Sequence, residues 1–236
     1  MQKNRKMKKI TFVIMALLLS SSFLFPQPLM NTDLRSSTVV GSKPGFGVLP
    51  ETDPYLGIIT VKDALPVNMV DWVLVELRSS KGGEAVAQAV GCLLSDGSVT
   101  DTTGTQGLSF DGLESGSEYY IVVKHRNHLS VMSKNAVGID EGNSVLEHDF
   151  SLSGAAHGGN SLAVKKLGSV YAMIAGDGDT NGLIQTTDKS STWIQQFGSI
   201  GYFDADYDLN GFVQTDDIRK EIYEDNVGKA SQVINP

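Results

Sequence analysis

Cysteine is almost missing from this chain, which holds one, Cys92, in 236 residues. No internal disulfide can form, so even in an oxidising compartment stability has to come from packing and from some further cross-link, for which bound metal is the candidate. Positive charge is also scarce. Nineteen Lys and Arg stand against 27 Asp and Glu, a net charge of −8, which makes nucleic acid a poor partner. Beyond Phe25 no apolar run is long enough to span a bilayer. Common catalytic signatures are missing as well: there is no Gly-x-Ser-x-Gly, His-Glu-x-x-His, phosphate loop or Cys-His arrangement, and the expectation is a protein that is not an enzyme.

The N-terminus carries a clear pattern. Lys3, Arg5, Lys6, Lys8 and Lys9 precede the apolar run Ile10 to Phe25, which Pro26 breaks. That order reads as a secretory signal peptide, residues 1–26, and places the mature protein outside the cell or on its surface. A retained anchor is the competing reading, but the run falls short of the roughly 20 residues that a spanning helix needs. Removal of residues 1–26 takes away five bases and no acid, so −8 becomes −13.

Residues 27–54 are rich in Ser, Thr, Gly and Pro and read as an exposed leader. Between 55 and 153 the apolar runs are short and β-branched: Leu56 to Val61, Met69 to Leu77, Ala85 to Leu94, Leu108 to Phe110, Tyr119 to Lys124, Leu129 to Met132 and Val145 to Leu152. This spacing predicts an antiparallel β-sandwich. Val73, Val75 and Leu77 alternate with Trp72, Leu74, Glu76 and Arg78, as in a strand with one buried face and one that turns polar. Asp96-Gly97 is a hairpin signal, because a tight turn there needs positive φ. Residues 154–169 open on Gly-Ala-Ala-His-Gly-Gly-Asn and read as a connection. The last segment, 170–236, holds eleven acids against four bases.

Those acids are spaced. Asp177-Gly-Asp179-Thr-Asn181-Gly182-Leu183-Ile184-Gln185-Thr186-Thr187-Asp188 and Asp206-Tyr-Asp208-Leu-Asn210-Gly211-Phe212-Val213-Gln214-Thr215-Asp216-Asp217 align without a gap. Calcium takes six to eight oxygens, and a 12-residue loop supplies them from positions 1, 3, 5, 7, 9 and 12. Positions 1, 3 and 5 are Asp177, Asp179 and Asn181, then Asp206, Asp208 and Asn210; the backbone carbonyls of Leu183 and Phe212 serve position 7. Gln185 and Gln214 stand at position 9, where a water often intervenes, and Asp188 and Asp217 close the loops. Gly182 and Gly211 occupy position 6, where the chain turns sharply. Two Ca2+ ions are therefore expected, each among three carboxylates whose repulsion opposes folding without metal. Ile184 and Val213, at position 8, are expected to tie the loops together.

Short amphipathic helices are expected after each loop, over Thr192 to Phe197 and Ile218 to Tyr223. Little supports a helix before either loop. The tandem loop-then-helix unit resembles the dockerin type I family. That resemblance covers about a quarter of the chain and implies a mainly α module, 170–236, joined to the mainly β sandwich. It implies the calcium ligands Asp177, Asp179, Asn181, Asp188, Asp206, Asp208, Asn210 and Asp217. It also implies contact with a cohesin-like protein through positions 10 and 11: Thr186, Thr187, Thr215 and Asp216. Asp216 departs from the small hydroxyl pairs usual there. The segments Asp71 to Arg78 and Tyr119 to Met132 resemble those that precede dockerin-like repeats in large secreted proteins of Bacteroidetes-type bacteria. The function implied is protein attachment in an extracellular or cell-surface assembly linked to polysaccharide degradation.

Weaker groupings remain. His125 and His128 could share a metal only if the chain turns at Asn127; otherwise they are hydrogen-bonded structural residues. Tyr55, Trp72, Tyr119 and Tyr120 could stack on sugar, although aromatics in strands are more often core. The alternative function is thus a glycan-binding or structural envelope protein in which calcium only stabilises. Catalysis would need two carboxylates across a cleft, and sequence alone does not place Glu76, Glu84 or Glu118 relative to one another.

Overall fold

The computed structural model describes residues 8–13, 30–39, 41–114, 116–138 and 145–234. It is mainly β. The strands are β1 (Lys8–Val13), β2 (Met69–Arg78), β3 (Ala85–Leu94), β4 (Ser98–Thr100), β5 (Leu108–Phe110), β6 (Glu118–His125), β7 (His128–Met132), β8 (Val137–Gly138), β9 (Val145–Asp149), β10 (Lys165–Leu167) and β11 (Val170–Ala172). β1 to β9 share one sheet in the order β5-β1-β4-β3-β2-β6-β7, with β8 beside β6 and β9 beside β1. Every pair in it is antiparallel except β1 with β9. This agrees with the antiparallel sandwich predicted for 55–153. Asp96-Gly97 makes the β3–β4 turn, with φ +86 at Gly97.

The runs predicted as strands appear as strands with one exception. Leu56 to Val61 folds instead as a loop around Asp53, whose carboxylate accepts the N–H groups of Tyr55, Leu56, Gly57, Ile58 and Ile59. A side-chain acceptor that satisfies five successive donors removes the need for a strand partner.

β2 differs from its expected pattern because all ten residues are buried, not one face. The Trp72 side is covered by the segment read as an exposed leader: Met30, Leu34 of the short helix α1 (Asp33–Ser36), Phe46 and Leu49 all enter the core, and Trp72 Nε1–H donates to the Pro50 carbonyl at 3.2 Å. Four apolar side chains without periodicity were enough to dock it. Further along, Arg78 donates to Glu76 at 2.8 Å and to the Ile234 carbonyl at 2.8 Å, so the C-terminal tail covers the polar end of the strand.

Of the residues read as a signal peptide, 1–7 and 14–26 lie outside the described residues. Lys8–Val13 form β1, which pairs with β4 and β5 and is the strand partner of β9. The stretch read as a connection, 154–169, holds β10, which pairs with β11 at the start of the acidic segment, and Ala156, Ala163 and Val164 belong to the core. No break separates the sheet from the acidic segment: Leu129 of β7 sits in one apolar cluster with Ile174, Ile184, Trp193, Tyr207, Val213, Ile222 and Tyr223.

Helix is sparse after the loops. A wide π-type turn, Asp188–Trp193, runs into α2 (Ile194–Gln196), while Ile218 to Tyr223 is a run of turns ending in a 3-10 turn at Glu224–Asn226. The second predicted helix is therefore absent as a regular element. Its core residues Ile222 and Tyr223 are buried nonetheless, but Ile194 and Phe197, expected on a buried face, are about half exposed at 53%.

Candidate metal centre

The two acidic loops fold alike. In each, φ is positive at position 4 and at position 6: Thr180 +55 and Gly182 +82, then Leu209 +57 and Gly211 +83. Left-handed backbone at a β-branched threonine costs of the order of 1–3 kcal/mol and persists only where its surroundings dictate it. The hydrogen bonds repeat as well. The position 1 carboxylate accepts the position 6 N–H at 3.1 Å (Gly182 to Asp177) and 3.0 Å (Gly211 to Asp206). The position 12 carboxylate accepts the position 9 N–H at 2.8 Å in both, from Gln185 to Asp188 and from Gln214 to Asp217.

This turns three carboxylates inward per loop. Ligand oxygens of Asp177, Asp179 and Asp188 lie within 4.8 Å of one another, and so do those of Asp206, Asp208 and Asp217. Calcium–oxygen bonds of about 2.4 Å place opposed ligands about 4.8 Å apart, so both clusters have the span of one ion. Asn181 and Asn210 donate from Nδ2 to Asp179 and Asp208 at 2.8 and 2.9 Å. An ion would replace that amide as counter-charge, and each Asn would serve as a ligand only through its Oδ1. The donors are all oxygen, which suits a hard cation.

Electrostatics points the same way. Burial and the neighbouring Asp188 push the Asp177 carboxyl up to about 6, and burial with the nearby Asp208 pushes Asp217 up to about 7. Asp188, Asp206 and Asp208 are raised too, burial being the largest cause for each. Gathered carboxylates without a cation resist ionisation.

The position 8 residues share an apolar cluster but do not pair with each other. Ile184 and Val213 are buried in one cluster, but their backbones pair elsewhere: Ile184 exchanges hydrogen bonds with Gly228 and Lys229, and Val213 with Gly198 and Ser199. The first loop thus pairs with the chain after the second run of turns, and the second loop with the chain after the first. Tyr207, at position 2 of the second loop, donates to the Asp188 carbonyl at 3.1 Å and so joins it to the first.

The two loops differ in their surroundings. Asp179 and Asn181 are exposed, and the first loop lines a polar cleft of about 670 Å3 with Tyr55, Lys124, His125, Tyr202 and Asp204. Asp206, Asp208 and Asp217 are all buried, Leu209 belongs to the core of the sheet, and Gly211 faces Leu34 and Val48 of the N-terminal segment. The residues at positions 10 and 11 lie outward: Thr186, Thr187 and Thr215 are exposed, and half-buried Asp216 lies 3.6 Å from Arg219.

The sequence reading missed the residues behind the second loop. The chain does turn at Arg126-Asn127, His125 pairs with His128 in the β6–β7 register, and their rings meet edge to face at 4.7 Å. His125 Nε2 sits 3.2 Å from Asp71 and His128 Nδ1 sits 2.8 Å from Asn127 Oδ1, while among the described residues His125 Nδ1 and His128 Nε2 are buried without a hydrogen-bond partner. Asp71, wholly buried, also accepts from Arg126 Nε–H at 2.9 Å and from the Tyr202 hydroxyl at 2.8 Å. The sugar platform does not form, because Trp72 and Tyr119 are buried, and Glu76 is held by Arg78, Lys124 and Gln88. Among the described residues no helix is long and apolar enough to cross a membrane.

No protein-family model matches the chain, and no curated protein matches it. Among solved structures, a chain of a type II cohesin–X–dockerin complex from Acetivibrio cellulolyticus, an N-terminal interface mutant, is similar at 18% identity. The match covers 67% of this chain and 82% of that one with a TM-score of 0.39, a likeness too distant to carry family or partner.

Proposed function

We propose that this is a secreted, non-catalytic protein whose C-terminal dockerin-like module holds two Ca2+ ions and attaches the chain to a cohesin-like protein in an extracellular or cell-surface assembly. The observation that carries the calcium reading is the repeated loop geometry: left-handed backbone at positions 4 and 6 and a carboxylate triad of one-ion span in each loop. The ligands are Asp177, Asp179, Asn181, the Leu183 carbonyl and Asp188, then Asp206, Asp208, Asn210, the Phe212 carbonyl and Asp217. The attachment reading draws on the exposed Thr186 and Thr187, followed by half-exposed Ile194 and Phe197, an apolar surface on the same unit.

A second reading, calcium as a purely structural fastener of an envelope protein, is favoured by the second loop's burial against the N-terminal segment and the core shared with β7. One experiment separates the readings. Calcium should raise the melting temperature of the full chain, and Asp177→Ala with Asp206→Ala should abolish the rise. If it does, binding of a cohesin lost in Thr186→Arg/Thr187→Arg, with the calcium shift intact, supports attachment. Absence of any cohesin binding leaves the structural reading.

A further inference from the structure

The tip of the β6–β7 hairpin is two residues long and reaches both calcium loops at the same place. Asn127, wholly buried, accepts the N–H groups of Gly176 and Asp177 on its carbonyl at 3.0 and 3.2 Å. Its side-chain Nδ2–H donates to the Asp206 carbonyl at 2.7 Å. Asp177 and Asp206 are position 1 of the two loops. A single residue outside the module therefore holds the first ligand of each site by the backbone. His128 Nδ1, 2.8 Å from Oδ1, orients this side chain toward Asp206, and the hairpin register places His128.

Arg126 adds charge to this contact. Its Nε–H goes to Asp71, Nη1–H donates to the Phe203 carbonyl, and the plane lies 4.2 Å from the Tyr202 ring centre. The remaining nitrogen, Nη2, is buried without a hydrogen-bond partner and stands 3.8 Å from Asp206 Oδ2. Asp71, Tyr202, Asp204 and Asp206 face this guanidinium. Among the described residues, no cation stands within ion-pair distance of a carboxylate of the first site as Arg126 does of Asp206.

We infer that Asn127 and Arg126 are positioning residues of the calcium sites. Asn127 couples the two sites to each other, and Arg126 presets Asp206 of the second site from the sheet. This rests on the calcium reading above. Calcium entering the second loop fixes Asp206, which fixes Asn127, which holds the Gly176 and Asp177 amides where the first ion needs them. Binding at one site then favours the other. Asn127→Ala removes the bond to Asp206 and keeps the carbonyl bonds to the first loop, so its effect falls on the second site and on the coupling.

The test is calcium titration calorimetry on the full chain with an exchange readout. Wild type is expected to bind two ions with positive cooperativity. Asn127→Ala is expected to split the titration, the second site weakened about tenfold by loss of one buried hydrogen bond and the first within twofold of its intrinsic affinity. Amide exchange supplies a readout that needs no change at the tip. In Asp179→Ala, which disables the first site at an exposed ligand, calcium at the second site should still slow exchange of the Gly176 and Asp177 amides. Two bound ions in wild type with unchanged affinities and cooperativity in Asn127→Ala would overturn the coupling. So would unprotected Gly176 and Asp177 amides in calcium-loaded Asp179→Ala. A wild type that binds no calcium would instead overturn the function proposed above.

Discussion

The raised carboxylates make the calcium effect depend on pH in a direction fixed by the structure. Asp177 at about 6 and Asp217 at about 7 bind protons more tightly in the metal-free fold than in the unfolded chain, where an aspartate titrates near 3.8. Their contribution to metal-free stability is whole below pH 4 and is lost as the pH rises through 6 and 7. At about 1.4 kcal/mol per unit, Asp177 alone accounts for about 3 kcal/mol and Asp217 for about 4 kcal/mol. Calcium removes this penalty, because the ion needs the ionised forms. His128, held well below its usual range by burial, titrates in the opposite sense, but it is present with and without the ion and cancels in the difference. About 5 kcal/mol of this is lost between pH 4.5 and pH 8, so the calcium-induced rise in melting temperature should be small at pH 4.5 and larger by about 10–20 °C at pH 8, at 2–4 °C per kcal/mol for a chain of this size. Differential scanning calorimetry with calcium and with chelator at five pH values measures it. A calcium shift equal at pH 4.5 and pH 8 would refute the reasoning.

Asp71→Ala should cost about 3–5 kcal/mol, because it leaves Arg126 buried without its carboxylate; denaturant titration reads this directly. Tyr202→Phe, which deletes only one of the donors to Asp71, should cost about 1 kcal/mol in the same assay. A chain beginning at Gln27, the mature form if residues 1–26 are cleaved on secretion, lacks β1, the strand partner of β9; amide exchange over Val145–Asp149 should be faster in it than in the full chain, and a synthetic peptide of residues 6–15 added in trans should slow it again. Thr186→Arg with Thr187→Arg, on exposed positions, should leave melting unchanged within about 0.5 kcal/mol while removing cohesin binding measured by surface plasmon resonance.

Both acidic loops were legible before any coordinates because their pattern is local. Twelve residues hold the clustered carboxylates, the glycine and the closing aspartate, and the same twelve fold into the loop. The strands from Met69 to Leu94 and the Asp96-Gly97 turn were legible for a related reason, since apolar periodicity and turn residues act over short separations. What was hidden depends on distant partners. Nothing near Leu34 or Phe46 tells that the segment docks on β2, and nothing in His-Arg-Asn-His tells that its middle two residues reach Asp177 and Asp206. The turn at Asn127 was the condition on which the two histidines could meet, and they do meet there, with His125 against the buried Asp71. Ile218 to Tyr223 carried a helical apolar pattern, yet its buried side chains Ile222 and Tyr223 are satisfied by irregular turns packed under Ile184.

The account stands on two calcium ions in the paired loops, and calorimetric titration of metal-free full-length protein with calcium near pH 7.5 tests that most directly. Two ions bound per chain, falling to none in Asp177→Ala with Asp206→Ala, is the result predicted; no binding heat and no calcium-dependent rise in melting temperature in the wild-type chain would contradict it.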